Sequence, residues 1–388
     1  MVDVKNIVVI GVGLMGNGIA QISLMAGYNT TLVDISQEII DKAVASIEGG
    51  LNKLESKGVL NAAENMARMK TSLDLASAIK DADLIIEAVV EDMDVKKKIF
   101  KACDENAPPH TVIASNTSTM SITEMATATN REDKCIGMHF FNPAPLMRLI
   151  EVIAGEKASE DSMNIGMKVS ESLPCLRGDR YVAKVLKDRP GFIVNRLNAP
   201  GGIYMNYLLD TCLEKGIPFE SLDADFGSRG PMSPLVLADY TGLDTGYHIR
   251  NYYAKTLHED FKPGKVIAQM YKDGKWGRKA GQGFYDWSKG RPQPDFSKIK
   301  KAGLVDLRIR LAIRLNEGCR ILEEGIVSGW KIIDDAAMAG TNAPGPFEIG
   351  IPNWEELVKV LEEFAEKIGS EYLKPCELFK NGKFVDMK

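Results

Sequence analysis

A chain of 388 residues, 45% hydrophobic and 26% charged, can bury a large core and divide into two or three domains. Its formal net charge of -5 argues against a nucleic-acid partner held by charge, and no apolar run approaches membrane-spanning length. The six cysteines are scattered without a C-x-x-C pair, so neither a disulfide framework nor a structural zinc site is expected. A first strand starting within a few residues of Met1 leaves no room for a targeting segment, and a cytoplasmic protein is expected.

In chain order, Asn6 to Ile10 is an apolar, β-branched run that leads directly into Gly11-Val12-Gly13-Leu14-Met15-Gly16. A helix follows from Leu14 to about Met25, with its stop at Gly27, and then a short strand from Thr30 to Val33 closes on Asp34. This strand, glycine turn, helix, strand and acid order belongs to a dinucleotide-binding unit. Gly11 permits the tight turn, Gly13 admits the pyrophosphate, Gly16 lets helix and strand pack, and Asp34 accepts from the adenosine ribose. No arginine follows Asp34 to neutralise a 2′-phosphate, so NAD is favoured over NADP.

A helix is expected from Glu38 to about Lys57, a buried strand from Asp83 to Val90 ending on Glu91, and a helix from Val95 to Cys103. The Lys96-Lys97-Lys98 run reads as part of a solvated helix face. A strand from Val112 to Ala114 runs into Ser115-Asn116-Thr117-Ser118, polar side chains at the carboxyl end of a parallel strand, where α/β sheets bind ligands. The alternative for this quartet is a turn with a helix cap, because Ser121 and Glu124 form a capping box just downstream.

His139, one of four histidines, sits beside two phenylalanines and ahead of the turn Asn142-Pro143-Ala144-Pro145. The strand Leu149 to Ile153 carries one carboxylate, Glu151, which that turn can bring back beside His139. An imidazole held by a carboxylate in an apolar wall suits a general base, and a satisfied core histidine is the alternative. Helix Asp161 to Leu173 and strand Val182 to Lys187 follow, and Asp188-Arg189-Pro190-Gly191 marks a domain boundary. Beyond it the signals are helical, from Phe192 to Glu214 with an interruption at Pro200-Gly201-Gly202. A glycine-rich turn then spans Gly277 to Tyr285, and a linker Ser288 to Pro294.

The tail repeats the middle. Leu222-Asp223-Ala224-Asp225 followed by Gly230-Pro231-Met232-Ser233-Pro234 is matched by Ile333-Asp334-Asp335-Ala336 followed by Ala343-Pro344-Gly345-Pro346-Phe347. A duplicated helical unit is expected, the copies packing face to face. The fold class is thus α/β: a Rossmann-type doubly wound sheet, then an all-α region of two related units. The expected domains are 1–188, 189–290 and 291–388.

Taken together, G-V-G-L-M-G with Asp34, E-A-V-V-E, S-N-T-S, H-F-F-N-P-A-P-L-M-R-L-I-E-V-I, P-G-F-I-V-N-R and G-R-K-A-G-Q-G-F-Y resemble the L-3-hydroxyacyl-CoA dehydrogenases. The resemblance implies His139 as general base, Glu151 as its orienting carboxylate, and Ser118 and Asn195 as groups that bind the reacting oxygen. It implies NAD contacts at Gly11, Gly13, Leu14, Met15, Gly16, Asp34, Glu91, Lys96, Ser118, Asn142 and Lys279. It places Lys57 at a coenzyme A contact, with a solvated lysine as the alternative, and implies an acyl-CoA substrate with no metal.

The chain departs from the short members of that family in its second helical copy, which resembles the long multifunctional fatty-acid oxidation proteins. Both a homodimer and a monomer therefore stay open. The first copy has Leu208-Leu209 where the family usually has Glu-Ala, a pair partly kept as Glu317-Gly318, and Ser233 replaces a usual glycine. Alternative readings are a dehydrogenase of a free hydroxy or sugar acid, and a non-catalytic NAD-binding protein of the crystallin kind.

Overall fold

The computed structural model describes residues 3–227 and 232–388; Gly230 and Pro231 of the repeat lie outside the described residues. The chain forms two compact units, one of residues 1–195, 321–345 and 387–388, the other of 196–320 and 346–386.

The first unit is built on an eight-stranded sheet: β1 (Asn6–Ile10), β2 (Asn29–Val33), β3 (Met69–Ser72), β4 (Leu84–Glu87), β5 (Val112–Ser115), β6 (Cys135–Phe140), β7 (Leu149–Ala154) and β8 (Tyr181–Val185). The order is β3-β2-β1-β4-β5-β6-β7-β8, parallel except for the antiparallel β6–β7 pair. Such a sheet is buried on both faces, and β1 shows how. Ile7 and Val9 join a cluster with the helices Leu14–Met25, Gln37–Glu55 and Glu160–Ser172, while Val8 and Ile10 join one with Met93–Asn106 and Ile122–Ala126. The chain runs outward from β1 to β2 and β3, then returns to pair β4 on the other side of β1. The carboxyl ends of β1 and β4 therefore flank the point where the order reverses, the usual crevice for a ligand.

The antiparallel step at β7 follows from the Asn142–Met147 turn, which is too short for a crossover. Arg180 braces that turn, its guanidinium donating to the carbonyls of Ala144 and Met147. Next to β8 the chain returns late: Leu186 N–H donates to the Ile326 carbonyl at 2.8 Å, and the helix Trp330–Thr341 packs on β7 and β8. Gly340 of that helix faces Leu149 so closely that a Cβ would lie 2.8 Å from its Cδ2.

The second unit is helical. Tyr204 and Tyr207 of Gly201–Lys215 meet Phe364 of Trp354–Ile368 edge-on, with centroids 5.2 and 5.4 Å apart. Glu317 is buried and takes up Arg196 and the Tyr372 hydroxyl, the latter at 2.8 Å. Its neighbour is glycine rather than alanine because a Cβ on Gly318 would lie 2.6 Å from the Phe347 ring.

The two segments aligned in the sequence pack differently. Ser233 donates its hydroxyl to Asp223 at 2.5 Å, whereas at the matching Gly345 a Cβ would collide with Asp334 at 1.9 Å. The glycine-rich turn is explained by Asp239, a fully buried carboxylate that accepts from the N–H groups of Phe284 and Tyr285 and from the Trp287 indole. Burial raises its carboxyl above the ordinary carboxylate range despite those donors. Gly277 and Gly283 wrap it, each without room for a Cβ.

Observed elements differ from the expected ones mainly at their ends, with β2 starting at Asn29 and β4 confined to Leu84–Glu87. One strand, β3, carried no sequence signal. The contact boundary falls after Asn195 rather than at 188, and residues 321–345, expected in a third domain, belong to the unit that holds the sheet.

Candidate active site

The glycine turn is built as its spacing requires. Gly11 has φ +83°, and a Cβ there would lie 2.8 Å from Ala88 O and Val89 N; on Gly16 it would lie 1.9 Å from Gly11 O. On Gly13 it would meet nothing within 4 Å. Gly13 caps the Leu14–Met25 helix without a side-chain bond, and the first turn holds no acid, so the positive end of that helix is open to an anion.

Asp34 leaves β2 beside this turn. One carboxylate oxygen accepts from Val12 N at 2.9 Å and the other from Ile35 N at 2.8 Å, each keeping a lone pair for another donor. Around the same crevice Leu14, Ile35 and Val90 stand 77, 97 and 67% exposed. Apolar side chains held in water at the rim of an uncapped helix end fit a ligand with a flat apolar base and an anionic middle. The site thus fits a dinucleotide on its own geometry.

Beneath it lies a buried polar network that sequence reasoning missed in part. Glu87 accepts from Lys96 at 2.8 Å, from Val89 N at 2.7 Å and from the Ser115 hydroxyl at 2.6 Å. Lys96 also meets Glu91 at 3.2 Å, and Glu91 accepts from the Thr117 hydroxyl and Ser118 N. Lys96 is buried, not part of a solvated face; only Lys97 and Lys98 of the run fit that expectation. Lys96→Ala would leave Glu87 buried with an uncompensated charge, at a cost of about 3–5 kcal/mol. A large drop in the thermal or urea midpoint is expected, where a mere cofactor contact would change NADH affinity and leave the melt alone.

His139 and Glu151 stand directly opposite each other in the antiparallel register. His139 Nδ1 and Glu151 Oε2 are 2.6 Å apart, both groups buried. Glu151 Oε1 accepts from Ile193 N at 3.2 Å and Val194 N at 2.9 Å. A carboxylate with those donors is an acceptor toward the ring, so Nδ1 carries the proton and Nε2 the lone pair. Phe141 and Phe192 pack on the imidazole with centroids 4.5 and 5.7 Å away.

Asn195 follows this segment and its amide donates to the Ser118 carbonyl at 3.4 Å, while Asn116 accepts from Phe140 N at 2.9 Å. The segment that holds Glu151 through Ile193 N and Val194 N thus carries, one residue on, the Asn195 amide that meets Ser118. Ser121 both caps the Ile122–Ala126 helix and donates to Asp188. Asn142 is exposed, with a cis bond to Pro143, and Lys57 is exposed beyond the Gln37–Glu55 helix. Lys279 lies in the helical unit, ion-paired with Asp244. Burial pushes the Cys103 and Cys135 thiols up to about 12, so neither offers a thiolate.

A doubly wound sheet, an uncapped glycine turn with its acid, and a buried His–Glu pair define a nucleotide-dependent oxidoreductase. Comparison with known proteins narrows this. The sequence model for the NAD-binding domain of 3-hydroxyacyl-CoA dehydrogenase matches residues 6–174, and that for its C-terminal domain matches 191–287. Hydroxyacyl-coenzyme A dehydrogenase of Sus scrofa mitochondria is 37% identical over 299 residues, covering 73% of this chain and 91% of that one. The fatty acid oxidation complex subunit alpha of Shewanella baltica is 32% identical over 408 residues, covering 97% of this chain and 55% of that one. The crystal structure of 3-hydroxybutyryl-CoA dehydrogenase from Escherichia coli K12 superimposes with a TM-score of 0.85 at 26% identity, covering 98% of both chains. The chain belongs to the 3-hydroxyacyl-CoA dehydrogenase family, and its cofactor is NAD. Among the described residues no helix is long and apolar enough to cross a membrane.

Proposed function

We propose that the protein interconverts an (S)-3-hydroxyacyl-CoA and the 3-ketoacyl-CoA with a short acyl chain, such as 3-hydroxybutyryl-CoA and acetoacetyl-CoA. The observation that carries the chemistry is the buried 2.6 Å His139–Glu151 pair. His139 Nε2 takes the hydroxyl proton, and in the reverse direction returns it to the developing alkoxide. Glu151 fixes the tautomer and stabilises the imidazolium that forms. Ser118 and Asn195 donate to the reacting oxygen, where charge develops.

NAD, when bound, accepts the hydride from the same carbon. Gly11 to Gly16, Asp34, Glu91 and Ser118 would hold it; Lys96, Asn142 and Lys279, and Lys57 toward coenzyme A, enter this set on the family resemblance alone, Lys96 being buried against Glu87 and Glu91. All six cysteines are free thiols, which suits a reducing compartment.

The short-chain preference draws support from the structural likeness to an enzyme named for 3-hydroxybutyryl-CoA. Rates of NADH consumption with acetoacetyl-CoA, with longer 3-ketoacyl-CoAs and with a free keto acid test the reading. Turnover should be fastest with the four-carbon thioester. Faster turnover of the free acid would replace the substrate class, and a rise with chain length would remove the short-chain assignment.

A further inference from the structure

The segment Asp188 to Asn195 reads in the sequence as punctuation between domains. In the structure it is a strap anchored at both ends. At its outer end one Asp188 oxygen accepts from the Ser121 hydroxyl at 2.6 Å and from Thr123 N at 2.8 Å. At its inner end the N–H groups of Ile193 and Val194 converge on Glu151 Oε1, as given above. Between the anchors Gly191 has φ +81° and Phe192 φ +54°, and Phe192 N donates to Arg189 O at 3.0 Å. A left-handed backbone is unusual for a bulky residue and persists only where the surroundings hold it. It is this turn of the chain that aims two successive N–H groups at one oxygen.

From the two-ended anchoring and the left-handed turn we infer that Asp188 and Phe192 are positioning residues for the oxidoreductase reaction. The strap takes up Oε1 of Glu151 and so leaves Oε2 to His139. This inference rests on the reading of His139 as base. The groups facing Glu151 are His139 from β6, Ala183 from β8 and the two strap amides, so no second charged side chain hydrogen-bonds to it among the described residues. The His139–Glu151 unit carries one negative charge when the imidazole is neutral. The strap amides stabilise that charge, and withdrawing them makes the unit bind a proton more readily.

The test compares two substitutions of equal size. Phe192→Leu keeps the backbone freedom of phenylalanine, while Phe192→Ile is β-branched and resists φ +54°. With NAD and (S)-3-hydroxybutyryl-CoA, the acid limb of kcat/KM in Phe192→Ile should move up by about one pH unit, roughly a tenfold loss just below the wild-type limb. Phe192→Leu loses the same ring from the imidazole and so sets the reference limb, above which that of Phe192→Ile should lie, and NADH affinity should be unchanged in both.

Superimposable profiles for the two variants would overturn the inference. Should Phe192→Ile fail to fold, Asp188→Ala, which frees the outer anchor, must shift the limb in the same direction; an unmoved limb would overturn it equally. His139→Gln separates the layers of the argument. Retained turnover there sinks the base assignment itself, whereas a dead His139→Gln beside unshifted strap variants sinks the strap alone.

Discussion

His139→Gln is expected to lower kcat in both directions by about 10²- to 10⁴-fold, the usual contribution of a positioned acid–base group. NADH affinity should stay within a few-fold, because the ring pairs with Glu151 rather than with the glycine turn. Glu151→Gln tests the same pair from the other side. Its amide oxygen can still accept from Ile193 and Val194, which turns the NH₂ toward His139 Nδ1. Nδ1 must then accept, the proton moves to Nε2, and the nitrogen meant to take the substrate's proton becomes a donor. Oxidation and reduction should therefore both fall, by the same factor in kcat/KM, because the variant leaves the overall equilibrium unchanged. Stopped-flow and steady-state rates in both directions measure this, and near-normal oxidation in either variant would remove the proposed base.

A second large effect is expected from Gly16→Ala. The new Cβ would lie 1.9 Å from the Gly11 carbonyl oxygen, backbone against backbone, so no side-chain adjustment relieves it. Overpacking commonly costs about 1–3 kcal/mol, and this contact sits at the upper end because the turn and the helix must separate. Loss of folded protein, or a large fall in melting temperature, is the expected result. Gly13→Ala is the matched control, since its Cβ meets nothing within 4 Å. That variant should melt like the wild type yet bind NADH about 10- to 100-fold more weakly, a difference of roughly 1.4–2.8 kcal/mol. Wild-type NADH affinity in Gly13→Ala would mean that no ligand approaches this backbone.

The chain announces its sheet wherever a strand is buried on both faces, because an unbroken β-branched run such as Asn6 to Ile10 has no other reading. The edge strand β3 was invisible for the opposite reason. Met-Lys-Thr-Ser is half exposed, and nothing in it alternates. The His139–Glu151 pair was legible because a short turn between two strands forces cross-strand neighbours, and spacing alone then limits the partners. Glu87 and Lys96 were harder: a carboxylate inside an apolar strand is a signal, but its partner lies on the next helix within a run that reads as surface. The hold of the strap on Glu151 could not be foreseen, since it depends on a left-handed backbone at a phenylalanine, which no residue type reveals. Arg180 was equally silent, one arginine among many until the turn it braces is seen.

The late return of the chain to the sheet has a practical outcome for anyone shortening this protein. A fragment ending near residue 290 would keep both segments that the family models match. Such a fragment would lack Trp330–Thr341, whose inward residues Ile333, Ala336, Ala337 and Gly340 are all buried. The apolar flank of β7 and β8 would be laid bare, on the strand that bears Glu151. The tail is thus not separable from the sheet: residues 330–341 form a roof over the strand that carries Glu151.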